Sequence, residues 1–345
     1  MSSLVAHFYE ASGGGGSMTK LPFWNPVMPV EKRSQGFKAQ GLLWQMMLLF
    51  GVFVYGSYTI LVHLCEEDGQ IPFSSSSAVL LIEVTKMILS LIMHSPQLIR
   101  EGLLLPKPKI CLLFLVPAML YCINNNIAVH MQLHMDPTTY QVLGNMKIAT
   151  TAVLYRMIIK RHLTRVQWFS LFLLTLAGIC DSYGGYGIKG NNSAMEMHIT
   201  PAGLALIFTY CVISGFSGVY TEFVMKKYFQ LSLHVQNILL YSFGIVLNFV
   251  TWMAQASQSS STGESFNIFK GYSFYTWIII LTQAANGLIM SAVMKHASNI
   301  TRLFIISCAM LVTTVLSVLV FHITLNVWFV MAFILVLTSV SLYHR

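Results

Sequence analysis

Ten apolar segments, each roughly 20 residues long, follow one another between Gly41 and His344 of this 345-residue chain, the length at which a helix crosses the hydrocarbon core of a bilayer. They are drawn at about 42–64, 76–95, 110–131, 138–158, 166–186, 201–221, 233–254, 274–294, 301–321 and 325–343, to within a few residues at each end. Backbone in lipid must satisfy its own hydrogen bonds, and runs of this length do so as helices. The predicted fold class is therefore an all-α membrane protein with ten transmembrane helices. Composition agrees: 55% of residues are hydrophobic and only 9% charged, with a mean hydropathy of +0.67, far from the roughly quarter-charged makeup of a soluble domain.

Charge placement tests the count, because cytoplasmic loops carry excess Lys and Arg. On one side fall Lys20, Lys32, Arg33, Lys38, Arg100, Lys107, Lys109, Arg156, Lys160, Arg161, Arg165, Lys226, Lys227 and Arg345. The opposite loops hold Lys189, Lys270 and the acidic Glu66, Glu67 and Asp68. That asymmetry predicts an even number of spans with both termini in the cytosol. It also accounts for the net charge of +8 as a topology signal, with no nucleic-acid partner and with anionic membrane lipids as a lesser contact. The sequon Asn191-Asn192-Ser193 falls in a luminal loop of this topology, which makes Asn191 a glycosylation candidate; Asn299-Ile300-Thr301 also matches but lies too near the membrane. The first forty residues lack a basic region followed by an apolar one, so membrane insertion is expected to rely on the first span. Residues 1–40, with a Gly/Ser run at Gly13 to Ser17, read as a disordered cytosolic tail.

The membrane domain, 41–345, divides into halves of about 41–188 and 200–345 around the hydrophilic stretch from Lys189 to Thr200. The string NNIAVHMQLHMDPTTYQV from Asn125 can be laid over NGLIMSAVMKHASNITRL from Asn286, matching Asn125 with Asn286 and His134 with Lys295. Such an echo suggests two repeats facing one cavity, the arrangement in which transporter sites lie at the repeat interface near the midplane.

Two polar constellations interrupt the apolar runs. The first holds Tyr121, Asn124, Asn125 and Asn126 in span three, then Tyr140, Gln141, Asn145 and Lys147 in span four. Tyr140, Gly144 and Lys147 stand at i, i+4, i+7 on one helical face. An aromatic ring one or two turns from an ammonium suits a base or sugar stacked near a phosphate. The asparagines serve interhelical hydrogen bonding as readily as ligand contact. Lys147 has no acidic residue within a turn or two and stands near the middle of its span, so snorkelling fits it poorly. The second constellation is Ser291, Lys295, His296, Asn299 and Arg302 at the junction of spans eight and nine, where the cations also read as plain cytoplasmic loop charges. Glu83 with Lys86 at i, i+3, and Glu222 with Lys226 at i, i+4, are spaced to pair, as structural or gating ion pairs. Abundant span glycines, such as Gly178, Gly215 and Gly218, permit close helix approach.

Six scattered cysteines show no CxxC spacing and read as packing residues. His130 and His134 lack further ligands, so no metal is expected, and no cofactor. Nothing resembles an enzyme: no nucleophile elbow, Walker lysine or paired carboxylates beside a cavity occurs.

The strings YCINNNIAV, YQVLGNMKIATTAVLYR, SGFSGVYTEFVMKK, HVQNILLYSFGI and SAVMKHASNITRLF resemble the Golgi nucleotide-sugar transporters, the group of the CMP-sialic acid, UDP-galactose and UDP-N-acetylglucosamine carriers, over about Gly41 to His344. PFSSSSAVLLIEVTK, MDPTTYQVL, ITPAGLALI and NGLIMSAVMKH are most similar to its branch of probable UDP-sugar transporters. The resemblance implies the drug/metabolite transporter fold, ten helices in two inverted five-helix repeats, in the Golgi membrane. It also implies exchange of a cytosolic nucleotide sugar for a luminal nucleoside monophosphate. Lys147 and Lys295 are then implied to contact phosphate. Tyr121, Asn124, Asn125, Ser214, Gly215, Asn237 and Tyr241 are implied to surround the nucleoside, with Tyr140 and Asn299 further candidates.

Four positions depart from the family's pattern. Gln236 stands where sialic-acid and galactose members have Arg, Phe243 where a Ser is common, Ser298 where Asp usually precedes the Asn, and Arg302 where Lys is usual. Base and sugar selection are therefore open between UDP-sugars and CMP- or CDP-linked cargo such as CDP-ribitol. The replaced positions also admit a non-transporting scaffold that regulates glycosylation enzymes or sister transporters, and an uncoupled metabolite channel is a third reading. A homo- or hetero-oligomer with other nucleotide-sugar transporters or glycosyltransferases is compatible with either of the first two.

Overall fold

A computed structural model describes residues 36–65, 71–101, 106–131, 143–160, 162–187, 201–258, 267–321 and 327–343. Among these residues the chain forms ten helices and no strand. They are α1 (Gly36–Leu64), α2 (Ser75–Glu101), α3 (Pro108–Met131), α4 (Lys147–Ile158), α5 (Arg165–Gly187), α6 (Pro201–Lys227), α7 (Leu233–Gln258), α8 (Phe274–His296), α9 (Asn299–Phe321) and α10 (Val327–Tyr343). Each overlaps one predicted span. Helix α1 begins at Gly36, ahead of its predicted start, so residues 36–40, assigned by sequence to the tail, are helical. The rest of the expected disordered tail, the start of span four and the Asn191 sequon lie outside the described residues.

Among the described residues seven helices contain a stretch long and apolar enough to cross a membrane: Gly41–Leu64, Ser75–Pro96, Pro108–Ile127, Ala202–Lys227, Leu233–Ser257, Phe274–His296 and Asn299–Val320. Val327–Tyr343 is apolar but shorter. The chain is a multi-pass membrane protein, and the broad band of exposed Leu, Ile, Phe and Val side chains on the bundle is what lipid requires of its outer face.

Local chemistry starts the helices. Ser232, Ser273 and Ser298 accept from the N–H groups of Val235, Thr276 and Thr301 at 3.2, 3.4 and 3.1 Å, capping α7, α8 and α9. At α5 the cap is reciprocal: Gln167 N–H donates to Thr164 Oγ1 and Thr164 N–H to Gln167 Oε1. Before α8, Gly271 has a φ of +75° and its Cα faces the Pro72 carbonyl, where a Cβ would fall 1.9 Å from the oxygen.

The packing has a regular plan. Helix α1 lies against α8 and α9, and α6 against α3 and α4; α2 meets α8 as α7 meets α3; α4 meets α5 as α9 meets α10. The remaining principal contacts are α2 with α7 and α5 with α10. Shifting every helix number by five exchanges the members of each set. The α5–α10 seam is closed by a reciprocal pair, Ser170 Oγ donating to the Ser339 carbonyl at 2.7 Å and Ser339 Oγ to the Ser170 carbonyl at 2.6 Å. Small hydroxyl residues give such close seams a hydrogen bond that an apolar contact lacks. One apolar core, around Tyr155, Leu174, Val219, Ile300 and Phe304, joins α4, α5, α6 and α9. Another, around Phe114, Met225, Tyr241 and Met294, joins α3, α6, α7 and α8.

Candidate functional site

Seven helices bring polar side chains toward one another between these two cores. Tyr121 on α3 is the hinge of the group: its phenol oxygen accepts from Arg302 Nη1 of α9 at 3.4 Å and lies 3.4 Å from Thr221 Oγ1 of α6. Arg302 in turn is in electrostatic range of Lys147, the first residue of α4. Two cations thus approach each other from different halves of the chain. Among the described residues the Lys147 ammonium has neither a hydrogen-bond acceptor nor a carboxylate, and the Nε of Arg302 is buried without a partner. Charge in a membrane interior costs several kcal/mol and persists where a cavity or a counter-charge offsets it. Like charges placed together without a carboxylate create a site for a polyanion.

Three buried amides stand on the helices that carry these contacts or pack against them. Asn237 on α7 is 1% exposed, and neither its Oδ1 nor its Nδ2 has a partner. The Oδ1 atoms of Asn124 on α3 and Asn286 on α8 are likewise buried and unpartnered. An unmade hydrogen bond of this kind costs about 1–3 kcal/mol, so each of these amides calls for a partner that water or a ligand would supply.

Tyr241, one turn beyond Asn237 on the same face of α7, bonds through its hydroxyl to Ser291 Oγ of α8 at 3.1 Å. Its ring carries Lys86 of α2, whose Nζ lies 4.5 Å from the centroid. Lys86 is also 2.5 Å from Glu83 Oε1. Two glycines make room for this pair: a Cβ on Gly287 would fall 2.5 Å from Lys86 Cδ, and one on Gly244 would fall 3.0 Å from Glu83 Oε2.

Lys295 is placed differently from the sequence expectation that paired it with Lys147. It is 5% exposed and donates to the Leu231 carbonyl at 2.5 Å, with Phe229 beneath its ammonium at 5.2 Å from the ring centroid. Its titratable neighbours are His234 and His296. Lys295 therefore holds the end of α8 to the α6–α7 turn, and the cation that reaches Lys147 is Arg302, seven residues on. Asn299 belongs to a third group: Glu222, 0% exposed, accepts from the Asn299 N–H at 2.6 Å, from Lys226 at 2.7 Å and from Tyr155 Oη at 3.4 Å, while Lys226 also donates to the Ala297 carbonyl. The Asn299 side chain packs on Gly218. Gly215 is a contact point between helices, where a Cβ would meet Thr151 at 3.1 Å. Ser214 is half-buried beside it, Asn125 is exposed, and Tyr140 lies outside the described residues.

A family model described as nucleotide-sugar transporter matches residues 40–344. The chain belongs to the nucleotide-sugar transporter family. It is 42% identical over 304 residues to the probable UDP-sugar transporter protein SLC35A4 of Xenopus tropicalis, covering 88% of this chain and 92% of that one. Against the Homo sapiens protein of the same description the identity is 41% over 314 residues, with 87% and 94% covered, and against that of Danio rerio it is 42% over 307 residues, with 88% and 94% covered. A solved crystal structure overlaps 87% of this chain and 96% of its own with a TM-score of 0.65 at 9% identity, a likeness of fold alone.

Membership makes this chain one of a family of transporters rather than enzymes, with a nucleotide sugar as the class of cargo. Within that frame the sequence reading left Arg302 as a departure at a loop-like position. The signal that could have found it was its register: Ser298 caps α9, which puts Arg302 a turn inside the helix rather than in the loop.

Proposed function

We propose that this family member is a ten-span antiporter of the Golgi membrane, with both termini cytosolic, that exchanges a cytosolic pyrimidine nucleotide sugar for a luminal nucleoside monophosphate. Lys147 and Arg302 offset the phosphate charge, while Tyr121, Tyr241, Asn124 and Asn237 hold the nucleoside. The pair Glu83–Lys86 gates the site from α2. The observation that carries the reading is that Lys147 and Arg302 stand in electrostatic range of each other with no carboxylate partner among the described residues.

The five-helix shift in the packing plan supports two inverted repeats, and the excess of Lys and Arg in the loops on one side of the predicted topology supports cytosolic termini. With those repeats rocking about the site, access alternates. The empty cavity carries two like charges, so reorienting it costs more than reorienting it with a nucleotide bound, and exchange follows. The Lys295–Leu231 and Glu222–Asn299 contacts tie the α8–α9 junction to α6 and the α6–α7 turn. The relatives' description as probable UDP-sugar transporters makes a uridine nucleotide the first cargo to try, with CMP- and CDP-linked compounds beside it.

The test is nucleotide exchange in proteoliposomes. Wild-type protein loaded with a nucleoside monophosphate should take up its nucleotide sugar faster than empty vesicles, and Lys147→Ala should abolish uptake while folding normally. Full uptake by Lys147→Ala, or uptake indifferent to the trans nucleotide, would refute the mechanism.

A further inference from the structure

Three carboxylates lie inside the described helices away from their ends: Glu83, Asp181 and Glu222. Two have ammonium partners, Lys86 at 2.5 Å and Lys226 at 2.7 Å. Asp181, on α5, has none. Its one hydrogen-bond contact is Thr314 Oγ1 of α9, 3.3 Å from Oδ1.

The helices packed on α5 are α4, α9 and α10. From α9 the facing group is the Thr314 hydroxyl; the nearest titratable neighbour is the Cys180 thiol on α5 itself. Lys147 of α4 and Arg302 of α9 act on each other and not on Asp181. No Lys, Arg or His among the described residues of α4, α9 or α10 acts on the Asp181 carboxyl. An ionised carboxylate left between helices with a single hydroxyl donor would carry a desolvation cost of several kcal/mol.

Hydrogen counting points the same way. Thr314 Oγ1 is 3.2 Å from the Met310 carbonyl one turn back on α9 as well as 3.3 Å from Asp181 Oδ1. A hydroxyl has one hydrogen and two lone pairs, so it can donate to one of these two oxygens only. If it donates to Met310, as threonines inside helices commonly do to the carbonyl four residues back, the Asp181 contact needs a hydrogen of its own. A protonated Asp181 supplies it, donating to the Thr314 lone pair.

We propose that Asp181 is a proton-binding site at the α5–α9 contact. Ionised, its carboxylate accepts from Thr314 Oγ1; protonated, it donates to the same oxygen, and its half-buried position gives a proton a way in and out. Thr314 lies 12 residues beyond Arg302 on α9, about 18 Å along the helix. Loss of the proton puts an unpaired negative charge into the seam, at the desolvation cost of a buried carboxylate. The proposal is independent of which cargo is carried.

Infrared spectra of the purified protein test it. At a mildly acidic pH, above the range in which free carboxyls hold their proton, wild type should show the carbonyl stretch of a protonated carboxyl, Asp181→Asn should lack it, and Thr314→Val should shift it. Thermal unfolding against pH gives a second readout. Wild type should lose stability as pH rises from the range of an ordinary carboxyl to the point at which the buried one ionises, on the acid side of neutrality, whereas Asp181→Asn, which keeps the neutral donor, should lose none of that component and still be stabilised by nucleotide. A protonated-carboxyl band that survives in Asp181→Asn, absence of the band from wild type, or parallel pH profiles for the two proteins would overturn the assignment. Failure of both proteins to bind any nucleotide would bear on the cargo reading alone.

Discussion

Arg302 on α9 donates to the phenol oxygen of Tyr121 on α3 at 3.4 Å, so a cation from the second half of the chain is held by an aromatic from the first. That bond aims the guanidinium at the Lys147 side of the bundle. Arg302→Ala should therefore weaken nucleotide binding by the worth of a charge-assisted hydrogen bond, about 1.5–3 kcal/mol, or roughly 10- to 150-fold. Lys295→Ala should change it by less than about tenfold, or 1.4 kcal/mol. Nucleotide-induced shifts in thermal unfolding measure both, and the reverse ranking would restore Lys295 to the site.

Asn237 offers a separation of stability from function. Its amide is buried with both polar atoms unpartnered, so Asn237→Leu removes a desolvation cost of about 1–3 kcal/mol and fills the same volume. The expected variant unfolds at the same or a higher temperature than wild type but gains nothing from nucleotide. A loss of intrinsic stability would mean that the amide is structural.

Glu222 should behave in the opposite way. Its carboxylate gathers Lys226, Tyr155 and the first N–H of α9. Breaking a buried pair by removing one partner costs about 3–5 kcal/mol, and Lys226 is exposed enough to find water, which places Glu222→Ala at the lower end. The check is the unfolding temperature without nucleotide. An unchanged value would show that the network does not join α6 to the α8–α9 junction energetically.

Glycine positions test the gating pair. Gly287→Ala places a methyl 2.5 Å from Lys86 Cδ, so Lys86 must leave the Tyr241 ring, at a cost of about 1–3 kcal/mol for overpacking. Exchange should slow more than binding weakens if Glu83–Lys86 is a gate. Equal losses in both would make the pair part of the binding surface.

Much of the architecture was legible because lipid leaves a chain few choices. The apolar runs marked every helix but not every end: α1 extends back to Gly36, α2 and α6 run on to Glu101 and Lys227, and α4 starts at Lys147, which therefore opens its helix rather than standing near the middle of a span drawn from 138. Glu83–Lys86 and Glu222–Lys226 were legible as well, since i, i+3 and i, i+4 spacing on one helix fixes proximity without tertiary information. Arg302 and Lys295 were not separable in the same way. Both stand beside the α8–α9 junction, and only the packing of α9 against α3 and α4 turns one toward Lys147 while the α6–α7 turn captures the other. Asp181 was silent for a related reason: a carboxylate's meaning depends on whether a cation arrives from another helix, and here none does.

By itself the sequence determined that this chain enters a membrane, roughly where each helix begins and ends, and which family it joins, because hydrocarbon selects for length and apolarity that can be read locally. Tertiary structure alone decided which charges meet. Electrostatic partnership between helices depends on distances that helix rotation sets, and one residue of rotation turns a side chain by about 100°, enough to move it from the cavity to its wall.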